Sequence, residues 1–207
     1  MARCKTTFAT LVAVLLSSTG CATVAPSAET ARPAAWASPV AVAPGLPNLF
    51  RVNATLYRSA QPARDGFVLL GQQASLANGD PPIRTVLSLR AYKGDAPLVP
   101  ASAGLRLEQV SFKTWHPETE DVVDFLRIVS TAEFQPVLVH CRHGSDRTGM
   151  MVAIYRIVVE GWTKAQAIDE MVNGGYGYHP VWRNLVRYID ALDVDAIRAE
   201  LARTVPG

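Results

Sequence analysis

The sequence has few cysteines, little excess of charge and no long apolar run, and each shortage excludes a class of protein. Its 207 residues include 20 lysines and arginines against 18 aspartates and glutamates, so the net charge of +2 does not indicate a nucleic-acid binder. Three cysteines and four histidines are scattered without the spacing of metal sites. The pattern therefore gives no case for a bound metal.

The first twenty residues have the pattern of a bacterial secretory signal. Two basic residues precede an apolar stretch at 8–16, which is too short to cross a bilayer core of about 30 Å. The segment that ends in Cys21 resembles the lipobox of bacterial lipoproteins, although Ser18 stands where that motif prefers an aliphatic residue. The resemblance implies export, acylation of Cys21 and anchoring in the cell envelope, and Ala22 suits the outer membrane of a Gram-negative cell. Ordinary signal cleavage that removes Cys21 is the alternative.

Alanine and proline dominate residues 22–47, which show neither a helical nor a strand period. This composition predicts a tether that precedes a folded domain at residues 48–207, with a partly packed arm docked through Trp36 as the alternative. The other two cysteines would be removed with the signal, acylated or lost. Cys141 would then be the one thiol of an exported domain, and a cysteine that cannot close an internal disulfide is a candidate reactive thiol.

Apolar periodicity indicates an α/β domain. The predicted strands include residues 83–89, 105–112 and 136–139, and the predicted helices include one from Glu118 and a buried one at 149–159. Thr163 and Gln166 form a capping-box pattern that predicts the start of a further helix. Strands that alternate with helices, followed by a run of helices, predict a central, mostly parallel sheet of four to five strands flanked by helices.

Residues 141–147 combine a cysteine and an arginine in the spacing Cys-x5-Arg, between an apolar strand and an apolar helix. Backbone N–H groups of such a loop form an anion-binding nest, and the N-terminus of the following helix adds partial positive charge. Gly144 allows a backbone conformation that a Cβ atom would hinder. Arg147 supplies a planar fork for two phosphate oxygens, and the same positive field favours the thiolate of Cys141. The sequence therefore predicts a phosphate-binding loop with a nucleophilic cysteine.

The run HCRHGSDRTG at residues 140–149 resembles HCxxGxxR(S/T)G, the signature loop of the protein tyrosine phosphatase superfamily. Residues 56–62, LYRSAQP, resemble a segment of its atypical dual-specificity and bacterial tyrosine phosphatases. The resemblance implies a cysteine phosphatase fold and the hydrolysis of phosphotyrosine monoesters, with dual specificity, through a phosphocysteine intermediate. It also implies that neither a metal nor a cofactor is needed.

The same resemblance implies a role for each residue around the loop. Cys141 attacks phosphorus, Arg147 binds the phosphate and stabilises the transition state, and Thr148 assists departure of the thiolate in the second step. His140 supports the loop through hydrogen bonds to backbone. The phosphate-binding positions between the two ends are Arg142, His143, Gly144 and Ser145.

The sequence leaves the general acid open. A positioned acid typically contributes about 10²–10⁴-fold, and many members of the superfamily place an aspartate after the strand that corresponds to residues 105–112. This sequence has no aspartate at that place. Asp146 inside the loop is the preferred candidate, since myotubularins and some bacterial lipid-and-tyrosine phosphatases carry an aspartate just before the loop arginine. Glu118, Glu120 and Asp121 are the alternatives.

Further residues and activities remain open. Arg58, Arg90 and Lys113 are candidates for a basic rim that binds substrate phosphates, with structural salt bridges as the alternative. A phosphoinositide or inositol-polyphosphate phosphatase is the second activity, although Ser145 stands where lipid-directed loops often carry lysine. A phosphate-binding pseudophosphatase of the envelope would need a defective loop. We expect a monomer that acts on phosphorylated proteins or inositol phosphates and contacts the membrane through its lipidated N-terminus alone.

Overall fold

The computed structural model of the protein describes residues 1, 32–41, 43–72, 76 and 79–203. The predicted signal, Cys21 and residues 22–31 of the predicted tether lie outside these ranges, so the expectations for them stay predictions. The chain divides into two units, and the unit Arg32–Gly207 contains every strand and helix described below. Within the described ranges, no helix has the length and apolar character that crossing a membrane requires.

A six-stranded sheet with the order β1-β2-β3-β6-β4-β5 forms the centre of this unit. The strands are β1 (Ser38–Pro39), β2 (Phe50–Arg51), β3 (Leu56–Ser59), β4 (Thr85–Ser88), β5 (Arg106–Gln109) and β6 (Val137–His140). The last four are mutually parallel, whereas β1 and β2 extend the edge of β3 in antiparallel fashion. The predicted α/β fold with a mostly parallel sheet is confirmed. The strand count exceeds four to five because the two-residue β1 comes from the predicted tether.

Six α-helices accompany the sheet in the described part of the chain. They are α1 (Arg64–Gly71), α2 (Thr119–Ser130), α3 (Asp146–Val158), α4 (Lys164–Asn173), α5 (Arg183–Ala191) and α6 (Val194–Arg203). Successive side chains of a strand point to opposite faces of the sheet, so they belong to two separate apolar clusters. Leu87 and Val139 belong to the cluster that contains residues of α2 to α6, and Leu138 belongs to the cluster that contains residues of α1. This burial on both faces explains the continuous apolar runs of β4 and β6.

Residues 32–47, called the arm here, pack against the rest of the unit in their described part. The guanidinium of Arg32 donates a hydrogen bond to the hydroxyl of Tyr176 at 2.6 Å. The backbone N–H of Ala37 donates to the buried carboxylate of Glu170 at 2.6 Å. The predicted start of the domain, directly after the arm, therefore falls too late, because these polar contacts hold the arm in place.

Candidate active site

Residues 141–147, called the phosphate loop here, connect β6 to α3 at the carboxyl edge of the parallel strands. In open α/β sheets this edge is the usual place for ligands. The N–H of Leu89 donates to the carbonyl of His140 at 2.8 Å, and the N–H of Gln61 donates to that of Arg142 at 3.3 Å. The segments that follow β4 and β3 therefore hold the start of the loop from both sides.

Gly144 has a left-handed backbone conformation, with φ of 73°, in the middle of the phosphate loop. A Cβ atom at this position would lie 2.6 Å from the backbone carbonyl of Ser59, the last residue of β3. The carbonyl of Gly144 accepts a hydrogen bond from Arg58 Nη2 at 2.7 Å. Glycine is therefore needed here for both conformation and space.

Arg58 lies beneath the phosphate loop, so the prediction that it belongs to a substrate rim is wrong. It is part of β3, whose residues are all buried, and only 1% of it is exposed. Its guanidinium stacks 3.6 Å from the ring centre of Tyr176 while it donates to Gly144. Burial lowers the pKa of Arg58 to about 10, against the electrostatic attraction of Tyr176 and Glu170. A buried cation therefore supports the loop from below and still carries its charge at neutral pH.

His140 is fully buried at the end of β6, where its Nε2 lies 2.7 Å from the buried carboxylate of Asp95. Gln61 Nε2 donates to the other oxygen of Asp95 at 2.9 Å. Burial is the largest single influence on Asp95 and opposes its ionisation. The hydrogen bond and charge attraction of His140, with the contributions of Gln61 and Arg90, together outweigh burial, so the pKa of Asp95 is lowered. The expected backbone contact of His140 is longer, with Nδ1 3.3 Å from the carbonyl of Cys141. A carboxylate is thus the main partner that orients this histidine.

Cys141 begins the phosphate loop, Arg147 ends it, and Thr148, the third residue expected to act in the reaction, follows directly. Cys141 is buried, and Arg147 is half-buried with its Nη1 donating to the carbonyl of Leu89 at 3.1 Å. Arginine has five N–H donors, so donors remain for a phosphate. The hydroxyl of Thr148 is buried and lacks a hydrogen-bond partner among the described residues, which suits a group that acts during the reaction. The roles themselves stay predictions.

Arg90 and Lys113, the other two residues of the predicted rim, are both half-buried. Arg90 Nη1 donates to Gln61 Oε1 at 2.5 Å, which links it to the pair of His140 and Asp95. Lys113 forms an isolated backbone bridge with His116. Arg90 therefore has a structural partner, and contact of either residue with substrate stays a prediction.

Residues 174–179, called the cover segment here, follow α4 and lie along the phosphate loop; a short 3-10 helix at Pro180–Trp182 then leads into α5. Ser145 is buried, and its hydroxyl donates to the carbonyl of Tyr176 at 2.7 Å. Asn48 Nδ2 donates to the carbonyls of Tyr176, at 3.0 Å, and of His143, at 2.9 Å. One amide group therefore joins the phosphate loop to the cover segment.

Asp146 contacts the cover segment through both carboxylate oxygens. Oδ1 accepts the backbone N–H of His179 at 2.9 Å, and Oδ2 lies 2.8 Å from His179 Nδ1. Asp146 is buried, whereas half of the His179 side chain is exposed. The His143 ring lies 5.6 Å from the His179 ring, and the three side chains offer ligand atoms that lie within 4.8 Å of one another. The structure thus assembles two histidines and an aspartate that appeared scattered in the sequence.

The alternative acids lie at the start of α2. Glu118 is exposed, and its Oε1 lies 3.2 Å from His116 Nε2. Asp121 is half-buried, and burial raises its pKa, with the charges of neighbouring carboxylates adding to the shift. A raised pKa favours the protonated form that an acid needs, so Asp121 remains a candidate beside Asp146.

Comparison with known proteins identifies the family. The family model described as "DSP-PTPase phosphatase fused to NAD+ Kinase" matches residues 51–175. The dual specificity protein phosphatase TpbA of Pseudomonas aeruginosa strain UCBPP-PA14 is 37% identical over 182 residues, which cover 85% of this chain and 76% of TpbA. The chain belongs to the dual-specificity phosphatase family. The predicted resemblance to the protein tyrosine phosphatase superfamily is therefore confirmed.

A solved structure of TpbA and one further relative of this dual-specificity phosphatase bear on the site. A crystal structure of a cysteine-to-serine variant of P. aeruginosa TpbA in complex with pTyr has a TM-score of 0.68 at 36% identity, covering 83% of this chain and 98% of that one. The inositol diphosphatase DSP3 of Arabidopsis thaliana is 30% identical over 81 residues, which cover 38% of this chain and 37% of that protein.

Three side chains that support the loop of this dual-specificity phosphatase were not identified from the sequence. They are Asn48, Asp95 and His179, and all lie outside helices and strands. Their segments carry no periodic pattern, and their partners are distant in the chain. Asn48 alone offered a local signal in its residue type, since asparagine tolerates the left-handed conformation at turns, and the structure gives it a φ of 54°.

Proposed function

We propose that this dual-specificity phosphatase hydrolyses phosphotyrosine monoesters, with dual specificity, through a phosphocysteine at Cys141. The observation that carries the proposal is the complete Cys-x5-Arg loop, seated between the carboxyl end of β6 and the N-terminus of α3. The complex of the TpbA variant with pTyr supports phosphotyrosine as the substrate.

In the first step, the Cys141 thiolate attacks phosphorus and the bond from phosphorus to the ester oxygen breaks. Loop N–H groups and the guanidinium of Arg147 stabilise the charge on the equatorial oxygens. Asp146 is the proposed donor of the proton to the leaving oxygen, and its place inside the loop supports this role. The phosphoryl group is then bound to Cys141, and the alcohol departs neutral.

In the second step, water attacks the phosphocysteine and the P–S bond breaks. Asp146, now a carboxylate, accepts a proton from the water. The Thr148 hydroxyl donates a hydrogen bond to the departing thiolate of Cys141, a role that its buried and unpartnered Oγ1 within the described chain supports. Inorganic phosphate leaves, and the thiolate is ready for another turnover.

The experiment uses protein comprising residues 32–207, because the arm contributes contacts to the folded unit. It should hydrolyse p-nitrophenyl phosphate and a phosphotyrosine peptide. Cys141→Ser should lower kcat by at least about 10³-fold, as loss of a nucleophile does. Orthovanadate should inhibit, whereas EDTA should not. A Cys141→Ser variant with the wild-type rate would contradict the phosphocysteine mechanism.

An inositol-phosphate substrate is the second candidate, favoured by the match to the plant inositol diphosphatase. Against it, Ser145 is turned towards Tyr176 and offers no cation at its position in the loop. The exposed side chains available to a second phosphate are Arg142 and His143. A paired measurement of kcat/KM on a phosphotyrosine peptide and on an inositol polyphosphate separates the two substrates, and we expect the peptide to be preferred.

We further propose that the protein is exported and acylated at Cys21, which anchors a monomeric phosphatase in the cell envelope. The signal-like residues that precede Cys21 support the proposal. Mass spectrometry of the mature N-terminus should show diacylglyceryl on Cys21. Cys21→Ala should release the protein into the soluble fraction, and a membrane-bound Cys21→Ala protein would contradict the lipid anchor.

A further inference from the structure

We propose that His143, Asp146 and His179 form a binding site for a divalent transition-metal ion, with zinc as the best match, beside the phosphate loop. Each residue offers one ligand atom, and the three atoms lie within 4.8 Å of one another. Two of the residues belong to the phosphate loop and the third to the cover segment. The site would therefore bridge the two segments.

The three ligands differ in how firmly they are held. Asp146 is buried, and one of its oxygens already accepts the backbone N–H of His179. His143 is exposed, as is half of the His179 side chain, so an ion can reach them from solvent. The carboxylate thus forms the fixed base of the site, and the two imidazoles form its open side.

The separations suit a small tetrahedral ion. Two ligands with bonds of about 2.0–2.1 Å to zinc lie roughly 3.3 Å apart. The 2.8 Å between Asp146 Oδ2 and His179 Nδ1 would open slightly, and the exposed His143 ring would move in by up to about 1.5 Å. These are side-chain adjustments, because hydrogen bonds from Asn48 and Ser145 already join the two backbone segments.

The donor set selects the class of ion. Two imidazole nitrogens and one carboxylate oxygen are typical of zinc sites that keep a fourth position open for water or a substrate oxygen. Calcium and magnesium prefer all-oxygen sites, so they should bind weakly here. The other two histidines are differently placed, since His140 is buried against Asp95 and His116 pairs with Glu118.

Occupation of the site should inhibit the phosphatase, and this consequence rests on the proposed function. A bound ion would engage Asp146, the proposed general acid, and remove it from proton transfer. It would also hold the side chain of His143 at the loop that receives the phosphate. The binding itself does not depend on any activity, so the two claims can be tested separately.

The binding test uses the unit of residues 32–207 without a polyhistidine tag, carrying Cys141→Ser so that the thiol cannot bind metal. Isothermal titration with zinc should show one ion per molecule, and cobalt should give the visible absorption of a tetrahedral complex. His143→Asn and His179→Asn should each weaken binding by more than about tenfold. His116→Asn is the matched control, because it removes an exposed histidine with a carboxylate partner and should leave binding unchanged.

Absence of zinc binding to the Cys141→Ser protein would overturn the proposal. Binding that is restored when Cys141 is present would then assign the metal to the thiolate. Binding that survives both His143→Asn and His179→Asn would overturn the proposal as well. Circular dichroism of each variant confirms that a loss of binding does not come from unfolding.

The activity test keeps Cys141 and compares each variant with its own metal-free rate. Micromolar zinc should lower the hydrolysis of p-nitrophenyl phosphate more than about tenfold in wild type and His116→Asn, and EDTA should restore it. His143→Asn and His179→Asn should lose this sensitivity. Equal inhibition of all four proteins would overturn the regulatory claim. A protein that binds zinc at the site but hydrolyses nothing would instead overturn the proposed function and leave the metal site standing.

Discussion

The phosphate loop is supported in different ways on its two sides. On the strand side, Arg58 and the pair of His140 and Asp95 are fully enclosed beneath the loop. On the cover side, Tyr176 is buried against Arg58, but the contact made by the proposed acid is not: Asp146 meets His179, half of whose side chain is exposed. Buried contacts open only with the whole domain, whereas half-exposed ones open locally. We therefore expect the strand side to determine the shape and stability of the loop, and the cover side to affect the reaction with less effect on folding.

Replacement of Gly144 by alanine should have the largest effect, because it disturbs the strand side directly. The left-handed conformation costs a residue with a Cβ atom about 1–2 kcal/mol, and overpacking against Ser59 adds about 1–3 kcal/mol. We expect the free energy of unfolding to fall by roughly 2–5 kcal/mol. Displaced loop N–H donors should lower kcat/KM about 10³-fold. Urea titration and steady-state kinetics measure the two quantities.

Gly161→Ala is the matched control. Gly161 has a nearly identical φ of 75°, but a Cβ atom there would meet nothing within 4 Å. The control should lose about 1–2 kcal/mol of stability and retain full activity. Full activity in Gly144→Ala as well would show that close packing on the strand side does not shape the loop.

Asp146→Asn should affect the chemical step on the cover side while the fold stays intact. Without a proton donor, kcat for phenyl phosphate should fall by about 10²-fold. The value of kcat/KM with 2,4-dinitrophenyl phosphate, which reports the first step, should change little, because that leaving group departs without a proton. The free energy of unfolding should fall by less than about 1.5 kcal/mol, since one hydrogen-bonding group replaces another.

The matched variant for this prediction is Asp121→Asn, the same substitution at the alternative acid. We expect it to leave the dependence on the leaving group unchanged. The opposite result would be a rate that depends more steeply on the leaving group in Asp121→Asn and as in wild type in Asp146→Asn. It would assign proton donation to the start of α2 and show that the cover side takes no part in the chemical step.

The two sides also differ in how far they could be predicted. The strands, the buried helix and the loop with its glycine have periodic or spaced patterns, and the capping box of Thr163 and Gln166 is present as predicted. These features depend on neighbours in sequence. The role of Arg58 could not be predicted, because an arginine in a strand usually faces solvent, and here a tyrosine from the cover segment encloses it.

The cover side and the arm depend on contacts between distant segments. Asp146 could be singled out from its place in the motif, but its partner His179 follows a glycine-rich turn without a pattern. The arm has the composition of a tether, and its packing becomes visible only in tertiary contacts such as those of Arg32 and Ala37 and the pairing of β1 with β2. Composition indicates whether a segment tends to stay without regular structure. A few buried hydrogen bonds to the rest of the domain can outweigh that tendency.

Asp95→Asn tests the strand side through its buried pair. A hydrogen bond to a charged group typically contributes about 1.5–3 kcal/mol, and we expect the free energy of unfolding to fall by about that amount when the Asp95 carboxylate beside His140 is replaced. The pKa of Asp95 is lowered in the folded protein, so its stabilising effect is complete above the unfolded value of about 3.9 and is lost as pH falls through the folded pKa. The stability gap between wild type and variant should therefore close below about pH 4.

Asp124→Asn is the control for this change. Asp124 is exposed and pairs with Arg127 at 2.7 Å within α2, so its loss should lower stability by less than about 1 kcal/mol. If the difference in free energy of unfolding between wild type and Asp95→Asn persists at low pH, the negative charge of Asp95 is not what stabilises the fold.

Arg32→Ala should have the smallest effect, because it reaches the loop only through the cover segment. Its guanidinium donates to Gly174 and Tyr176 and lies 5.5 Å from the ring centre of Trp36, but the residue is exposed. Screening by solvent limits the loss of stability to about 1 kcal/mol. Since Tyr176 also stacks on Arg58, kcat/KM should fall by a few-fold, whereas Arg64→Ala, at an exposed position of α1, should change neither quantity. Unchanged activity in Arg32→Ala, with its stability lowered, would show that the arm stabilises the fold without affecting the site, and that the influence of the cover side ends at Tyr176.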